Sequence, residues 1–89
     1  MNKKEQLKEL QIIPGVGPII AQDLWNIGIK SVADLKRKDP RELYLKICTK
    51  KGYDVDPCVL YVCRLSVYFA ENEKLDPKKL KWWNWKDEK

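Results

Sequence analysis

Apolar residues recur at helical spacing in the first third of the chain, on both sides of a turn-forming segment. Residues 3–11 carry two leucines three positions apart among lysines, which predicts a short amphipathic helix. We expect it to end before Pro14, because the residue preceding a proline is displaced from helical geometry. A second helix is predicted from Pro18 to about Ile27, since proline at the first helical position costs no hydrogen bond. Its apolar positions are Ile20, Ala21, Leu24 and Ile27.

Three Asp-Pro pairs divide the remainder of the chain, and each predicts a helix start with aspartate as the cap. The pairs are Asp39-Pro40, Asp56-Pro57 and Asp76-Pro77, and Ser31 is predicted to cap a shorter helix before them. The helix after Pro57 should be the most buried, with an apolar face of Val59, Leu60, Val62, Cys63, Val67 and Phe69. The chain shows no strand-like alternation. We therefore predict a compact all-α single domain, residues 1–89, of about five short helices and a tail.

Glycine and proline concentrate in the turn between the first two helices, with the sequence PGVG at residues 14–17. Amide N–H groups at a helix start, with the positive end of the helix dipole behind them, form an anion site. The candidate phosphate-binding residues are Gly15, Val16, Gly17, Ile19 and Ile20. The alternative is that the glycines only connect two packed helices closely.

Charge is divided unevenly along the chain. The formal net charge is +5, and residues 1–52, with eleven basic and six acidic side chains, carry all of the excess. A basic half favours an acidic partner such as a nucleic acid, the alternative being a mildly basic protein without one. The basic candidates are Lys30, as a phosphate contact, and Lys36, Arg37 and Lys38, as a supporting run.

Composition argues against several classes of function. The chain lacks histidine, the usual general base near neutral pH, and no pair of acids stands out, so we expect no enzyme. The three cysteines, Cys48, Cys58 and Cys63, are expected to be reduced and buried, without metal or cofactor. No apolar run is long enough to span or target a membrane, so we expect a cytoplasmic protein. A small-molecule ligand is not expected.

The segment LQIIPGVGPIIAQDLWNIGIKSVADL resembles a helix-hairpin-helix motif. The similarity lies in the apolar-Pro-Gly-apolar-Gly turn, in the alanine four residues after the second glycine, and in the trailing IGIKSVADL. The resemblance implies a hairpin over residues 12–28 whose amides bind a backbone phosphate of DNA without reading bases. It assigns these contacts to Gly15, Gly17 and the amide of Ile20, and the packing of the two helices to Ile13, Val16, Ala21 and Leu24.

The whole chain is similar to a small bacterial family of pathogenicity-locus or mitomycin-resistance proteins. The similarity rests on DPCVLYVCRLSVYFA followed by KWWNWKDEK, a tryptophan-rich end. It implies a single helix-hairpin-helix domain linked to DNA repair or damage resistance. Residues 49–57, with one glycine and two aspartates, are interpreted as a degenerate second hairpin. It would keep the bend between two helices but lack the phosphate-binding site.

One position departs from DNA-binding hairpins. Many of them carry a lysine or arginine two residues after the second glycine, where this chain has Ile19. An isoleucine there favours an apolar contact. We therefore expect weak, sequence-independent DNA binding, with a protein-interaction module of the same shape as the alternative.

The tryptophan tail, residues 80–89, allows several interpretations. Its rings could fold over the core, stack on unpaired bases beside Lys81 and Lys86, or contact a protein partner. Insertion into a membrane is a fourth alternative, which the mixed charge of the segment disfavours. Spacing predicts that two of the rings share a face and that the third is more exposed. The candidate partner surface is Trp82, Trp83 and Trp85, with Trp83 the exposed ring.

Overall fold

A computed structural model describes residues 2–86. Within that range the chain forms four α-helices and three short 3₁₀ helices, with no strand. The α-helices are α1 (Lys3–Leu10), α2 (Pro18–Asn26), α3 (Pro40–Lys51) and α4 (Cys58–Glu71), and the 3₁₀ helices are Ala33–Leu35, Pro77–Leu80 and Trp82–Trp85. The prediction of a compact all-α fold is confirmed. The radius of gyration is 12.0 Å, close to the ~12 Å expected of a compact chain of this length.

Two of the three predicted aspartate caps are present, whereas α4 begins one residue later than expected, at Cys58, with Pro57 at its cap position. The carboxylates of Asp39 and Asp76 accept the N–H groups of Arg41 and Lys78, each at the start of a helix. The predicted helix at Ser31 is only one 3₁₀ turn, Ala33–Leu35, although the Ser31 hydroxyl does accept the N–H of Asp34 at 3.3 Å. The backbone becomes extended at the next residue, which ends the turn before an α-helix can form.

Helix α4 is the centre of the core, as its wide apolar face predicts. It packs against α3, the Ala33–Leu35 turn and the tryptophan tail. Six of its residues are buried, more than in any other described helix, although Leu60 stays partly exposed. Side chains with almost no solvent contact come from every α-helix and from both turns of the N-terminal half: Leu10, Ile13, Leu24, Leu35, Ile47, Cys63, Leu65 and Ser66.

The three cysteines are free thiols, as expected, but they are not equally buried. Cys48 and Cys63 lie in the core, whereas Cys58, at the start of α4, is partly exposed. Burial raises the pKa of Cys63 to about 12, so this thiol stays neutral and unreactive at physiological pH. Within residues 2–86, no three His, Cys, Asp or Glu side chains are grouped to hold a metal ion.

The tryptophan tail folds back onto α4. Trp82 and Trp85 pack against the core, and the Arg64 guanidinium donates a 2.6 Å hydrogen bond to the carbonyl of Trp85. Trp83 remains 55% exposed. Two of the three rings in the predicted partner surface are therefore used for packing, because so small a domain gains apolar burial from them. The last residues of the tail, 87–89, lie outside the described range.

Candidate functional site at the glycine turn

Helices α1 and α2 pack against each other and are joined by the PGVG turn, residues 14–17. A backbone hydrogen bond from the Val16 N–H to the Ile13 carbonyl, 3.0 Å long, closes the turn. The side chains of both residues are buried, at 5% and 1% exposure. Local hydrogen bonding and core burial thus hold the turn in one shape.

Four amides around this turn have no hydrogen-bond acceptor within the described part of the chain. They belong to Gly15, Gly17, Ile19 and Ile20, and the first hydrogen bond of α2 is made by the next residue, from the Ala21 N–H to the Gly17 carbonyl at 2.9 Å. Helix α2 also has no side-chain cap and no acidic residue in its first turn. Its amide donors and the positive end of its dipole are left available to an anion.

The two glycines of the turn serve different purposes. Gly15 has a φ of +88°, and a Cβ there would lie 3.5 Å from the Trp82 ring and 3.7 Å from Val62. Glycine at this position is required by the backbone. Gly17 has a φ of −91° and nothing within 4 Å of a Cβ placed on it. Any residue would fit there, so glycine is not needed for the fold.

Val16 does not belong among the phosphate-binding residues where the sequence prediction placed it. Its N–H group is already bonded to the Ile13 carbonyl, and its side chain is buried under the turn. An amide with an internal acceptor is not available to a ligand. Val16 therefore supports the turn from the core side.

Lys30 lies at the wrong end of α2 to assist the same phosphate. Its ammonium donates to the Trp25 carbonyl at 2.9 Å and sits 3.1 Å from the centroid of the Trp25 ring. Helix α2 begins at the glycine turn and spans about 13 Å before it reaches this end. The lysine is thus separated from the four free amides and engaged by tryptophan.

The basic run at residues 36–38 is also remote from the turn. The Arg37 N–H donates to the Glu71 carboxylate at 2.8 Å, at the last residue of α4. The part of α4 that contacts the turn is Val62, nine residues earlier and about 13 Å away along the helix. The predicted basic residues therefore do not converge on the free amides.

A second turn, residues 53–56, connects α3 to α4 and repeats the pattern of the first at a distance of 39 residues. YDVDPC stands where PGVGPI stands in the first turn, so Val55 corresponds to Val16 and Asp56 to Gly17. Val55, like its counterpart, is buried. The Asp56 carboxylate accepts the N–H of Cys58 at 2.8 Å, and this hydrogen bond is the main reason that the pKa of Asp56 is lowered.

The remaining first amides of α4 are satisfied as well. Val59 donates to the Asp56 carbonyl at 2.9 Å and Leu60 donates to the Pro57 carbonyl at 3.0 Å. The protein's own carboxylate occupies the place at which an external anion could bind. The leading amides of α4 therefore have acceptors within the chain, unlike those of Ile19 and Ile20 at the start of α2.

Two features of this region were missed by sequence reasoning. One is the contact between Trp82 and Gly15, which joins residues far apart in the chain and leaves no local signal. The other is an ion pair between Asp23 of α2 and Lys51 of α3, with nitrogen and oxygen 3.1 Å apart. Asp23 is only 8% exposed, and its hydrogen bond raises the pKa of Lys51. This ion pair links α2 to α3, and so joins the helices on either side of the first turn to those on either side of the second.

The fold and the turn define a compact all-helical domain with two corners between packed helices, and in the described residues only the first corner leaves the leading amides of its second helix without an acceptor. A family model described as Pathogenicity locus matches residues 3–89 of the chain. The chain therefore belongs to this family.

One curated relative adds to the assignment. The chain is 32% identical over 81 residues to the mitomycin resistance protein McrB of Streptomyces lavendulae, an alignment that covers 91% of this chain and 73% of the relative. No solved structure matches the chain. None of the helices in residues 2–86 has the length and apolar character needed to cross a membrane.

Proposed function

We propose that the protein binds DNA independently of sequence, with one backbone phosphate held by the amides of Gly15, Gly17 and Ile20. The N–H of Ile19 is a fourth donor in the same first turn of α2. The α2 dipole adds to the attraction for a negative charge. Because these are backbone donors near a phosphate, the contact carries no information about base sequence.

The observation that carries the proposal is the glycine at residue 17. Its backbone geometry is open to any amino acid and its surroundings have room for a side chain. A serine or aspartate there would cap α2 and improve its stability. A glycine instead leaves the first amides of the helix uncapped and unobstructed, which is useful where a ligand must approach the backbone closely.

Two further lines support DNA as the anion. The formal net charge of +5 attracts a polyanion, and the sequence resembles a helix-hairpin-helix around this turn. The name of the relative, a mitomycin resistance protein, extends the proposal to a role in DNA repair or resistance to DNA damage. The proposal involves binding without catalysis, in the cytoplasm, where free thiols such as the three found here are maintained.

The affinity should be low. Lys30 and the basic run lie away from the turn, and Ile19, which is 71% exposed, contributes no charge. A site with a single phosphate contact and no adjacent cation corresponds to the weak end of non-specific binding, with a Kd of ~10⁻⁴ M.

The test is a residue-resolved ¹H–¹⁵N NMR titration of the full chain with short DNA, first in about 50 mM salt and then in about 200 mM salt. We expect shifts at the amides of Gly15, Gly17, Ile19 and Ile20 that fade as salt rises. Gly52, which ends α3 in left-handed geometry and donates to the Cys48 carbonyl, is an internal control and should not shift. Absence of shifts at the turn in low salt would overturn the proposal.

A second candidate function, protein binding, is favoured by apolar side chains on both sides of the turn. Ile12 and Ile19 are 60% and 71% exposed, which is unusual for isoleucine and offers an apolar contact. Binding through these side chains would persist as salt rises, whereas phosphate binding would weaken. Substitution of Ile19 by serine separates the two functions, because it removes the apolar contact and preserves the amide.

A further inference from the structure

The exposed ring of the tryptophan tail lies on a well-fixed segment. Trp83 is 55% exposed, while the next two residues are hydrogen-bonded to the preceding 3₁₀ turn, and Arg64 of α4 donates to the Trp85 carbonyl. The Asn84 side chain donates to the Lys78 carbonyl at 2.7 Å, and the Trp85 indole donates to the Lys79 carbonyl at 2.7 Å. Because the segment around it is held in this way, the exposed Trp83 ring presents a flat apolar surface to solvent at a smaller entropic cost than a ring on a free chain end.

This ring is also close to the glycine turn. Trp82 lies against Gly15, with its Cδ1 3.5 Å from the position of a Cβ there. The rings of Trp82 and Trp83 are in edge contact, with centroids 5.7 Å apart and planes at 87°. Trp82 therefore lies between Gly15 of the turn and an exposed aromatic face.

We infer that the site takes an unpaired DNA strand, whose phosphate binds the glycine turn while a neighbouring base stacks on Trp83. This inference rests on the proposed function. Aromatic side chains beside a positively charged backbone site are how proteins hold single strands without reading sequence, since every base has a face that can stack. Bases within a duplex are already stacked on each other and do not offer their faces.

The charges around the ring favour a nucleic acid over a protein partner. Lys81 and Lys86 lie on either side of the three tryptophans in sequence, and both are exposed. They would attract the phosphates that precede and follow the stacked base. A hydrophobic protein interface is normally depleted of lysine.

The experiment measures the Kd of the full chain for three labelled probes by fluorescence anisotropy in low salt. The probes are an oligothymidylate of about 12 nucleotides, a sugar–phosphate strand of the same length without bases, and a duplex of the same length. We expect the oligothymidylate to bind most tightly. Trp83→Ala should weaken its binding about tenfold or more while leaving the abasic strand unaffected, and Trp83→Phe should retain most of the affinity.

Tyr53→Ala is the matched control. Tyr53 is an aromatic residue with similar exposure, 62%, but it lies at the second turn. Its loss should leave the binding of all three probes unchanged. Both rings are solvent-exposed, so the circular dichroism spectra of the variants should match that of the wild-type protein.

The inference and the proposed function fail in different ways. The inference of an unpaired strand would be overturned if the wild-type protein and Trp83→Ala bound oligothymidylate equally, or if the protein preferred duplex. Either result would leave the proposal of phosphate binding at the turn intact. If DNA binding depended on Trp83 but caused no NMR shift at the amides of the turn, the inference that Trp83 and the turn form one site would be overturned. If none of the three probes binds in low salt, the proposed function itself is wrong.

Discussion

The PGVG turn at residues 14–17 and the YDVD turn at residues 53–56 have the same design and opposite electrostatics. Each connects two packed helices, buries a valine beneath the corner and has a proline at the start of its second helix or immediately before it. At the first turn the leading amides of α2 have no acceptor in the described chain. At the second turn the Asp56 carboxylate and nearby carbonyls accept the leading amides of α4.

This difference indicates how the same backbone corner either uses its leading amides within the chain or leaves them available to a ligand. A carboxylate at the cap position satisfies the helix from within and repels any external anion. A glycine at the same position satisfies nothing and leaves the donors open. Gly17 and Asp56 hold matching positions, and the Asp56 side chain accounts for the bonded amide of Cys58 where that of Ile19 has no acceptor.

The largest expected effect concerns the shared core under the two turns. Leu24 of α2 and Cys63 of α4 are 39 residues apart, hold matching places after their turns, and are both almost completely buried. Leu24→Ala should lower the free energy of unfolding by about 2–5 kcal/mol, because it leaves a cavity. Cys63→Ala should cost about 1 kcal/mol, since it removes a single heavy atom. Urea denaturation measures both, and equal costs would show that the two positions are not packed alike.

The next effect tests the electrostatic contrast directly. Gly17→Asp should place a carboxylate at the proposed phosphate site and lower the affinity for DNA at least tenfold, or about 1.4 kcal/mol. The structure has room for it, so the fold should be as stable as before or slightly more so. Anisotropy titrations give the affinity.

Gly17→Asn is the control for this experiment. Asparagine caps a helix about as well as aspartate but has no charge. It should reduce binding less than Gly17→Asp. An affinity for DNA that neither variant changes would mean that the turn is not the binding site.

A smaller effect concerns the backbone of the first turn. Gly15→Ala should lower the free energy of unfolding by about 1–2 kcal/mol, because a Cβ is strained at positive φ. Its φ is +88°, whereas that of Gly17 is −91°. Thermal denaturation of the Gly15→Ala and Gly17→Asn variants should therefore show a loss only in the first. A loss of equal size in both would contradict the distinct purposes of the two glycines.

The smallest effect is the acid response of the second turn. Hydrogen bonds from Cys58 hold the pKa of Asp56 below its usual value of 3.8. A lowered pKa in the folded state means that this carboxylate stabilises the protein above that value and that the contribution is lost as the pH falls through the lowered pKa. Urea midpoints followed from neutral pH to about pH 2 should fall less steeply in Asp56→Asn. Parallel curves would show that the cap contributes nothing.

Much of this molecule followed from local patterns in the chain. The spacing of apolar residues and the Asp-Pro pairs predicted the four α-helices to within a residue or two, because caps and amphipathic faces are local properties. The burial of α4 followed from the width of its apolar face. The turn with free amides could also be located, since glycine and proline determine such turns within a few residues.

What the sequence could not determine was which distant residues meet. Lysine-rich segments predicted charge near the turn, but helix length carries Lys30 to the far end of α2, where Trp25 engages it. Trp82 contacts Gly15, although the two residues are 67 positions apart in the chain. Because of this contact Trp82 is packed, whereas Trp83 stays exposed. Local chemistry therefore set the helices and the open turn, whereas the packing of the whole domain set what surrounds the turn, because burial depends on every element at once.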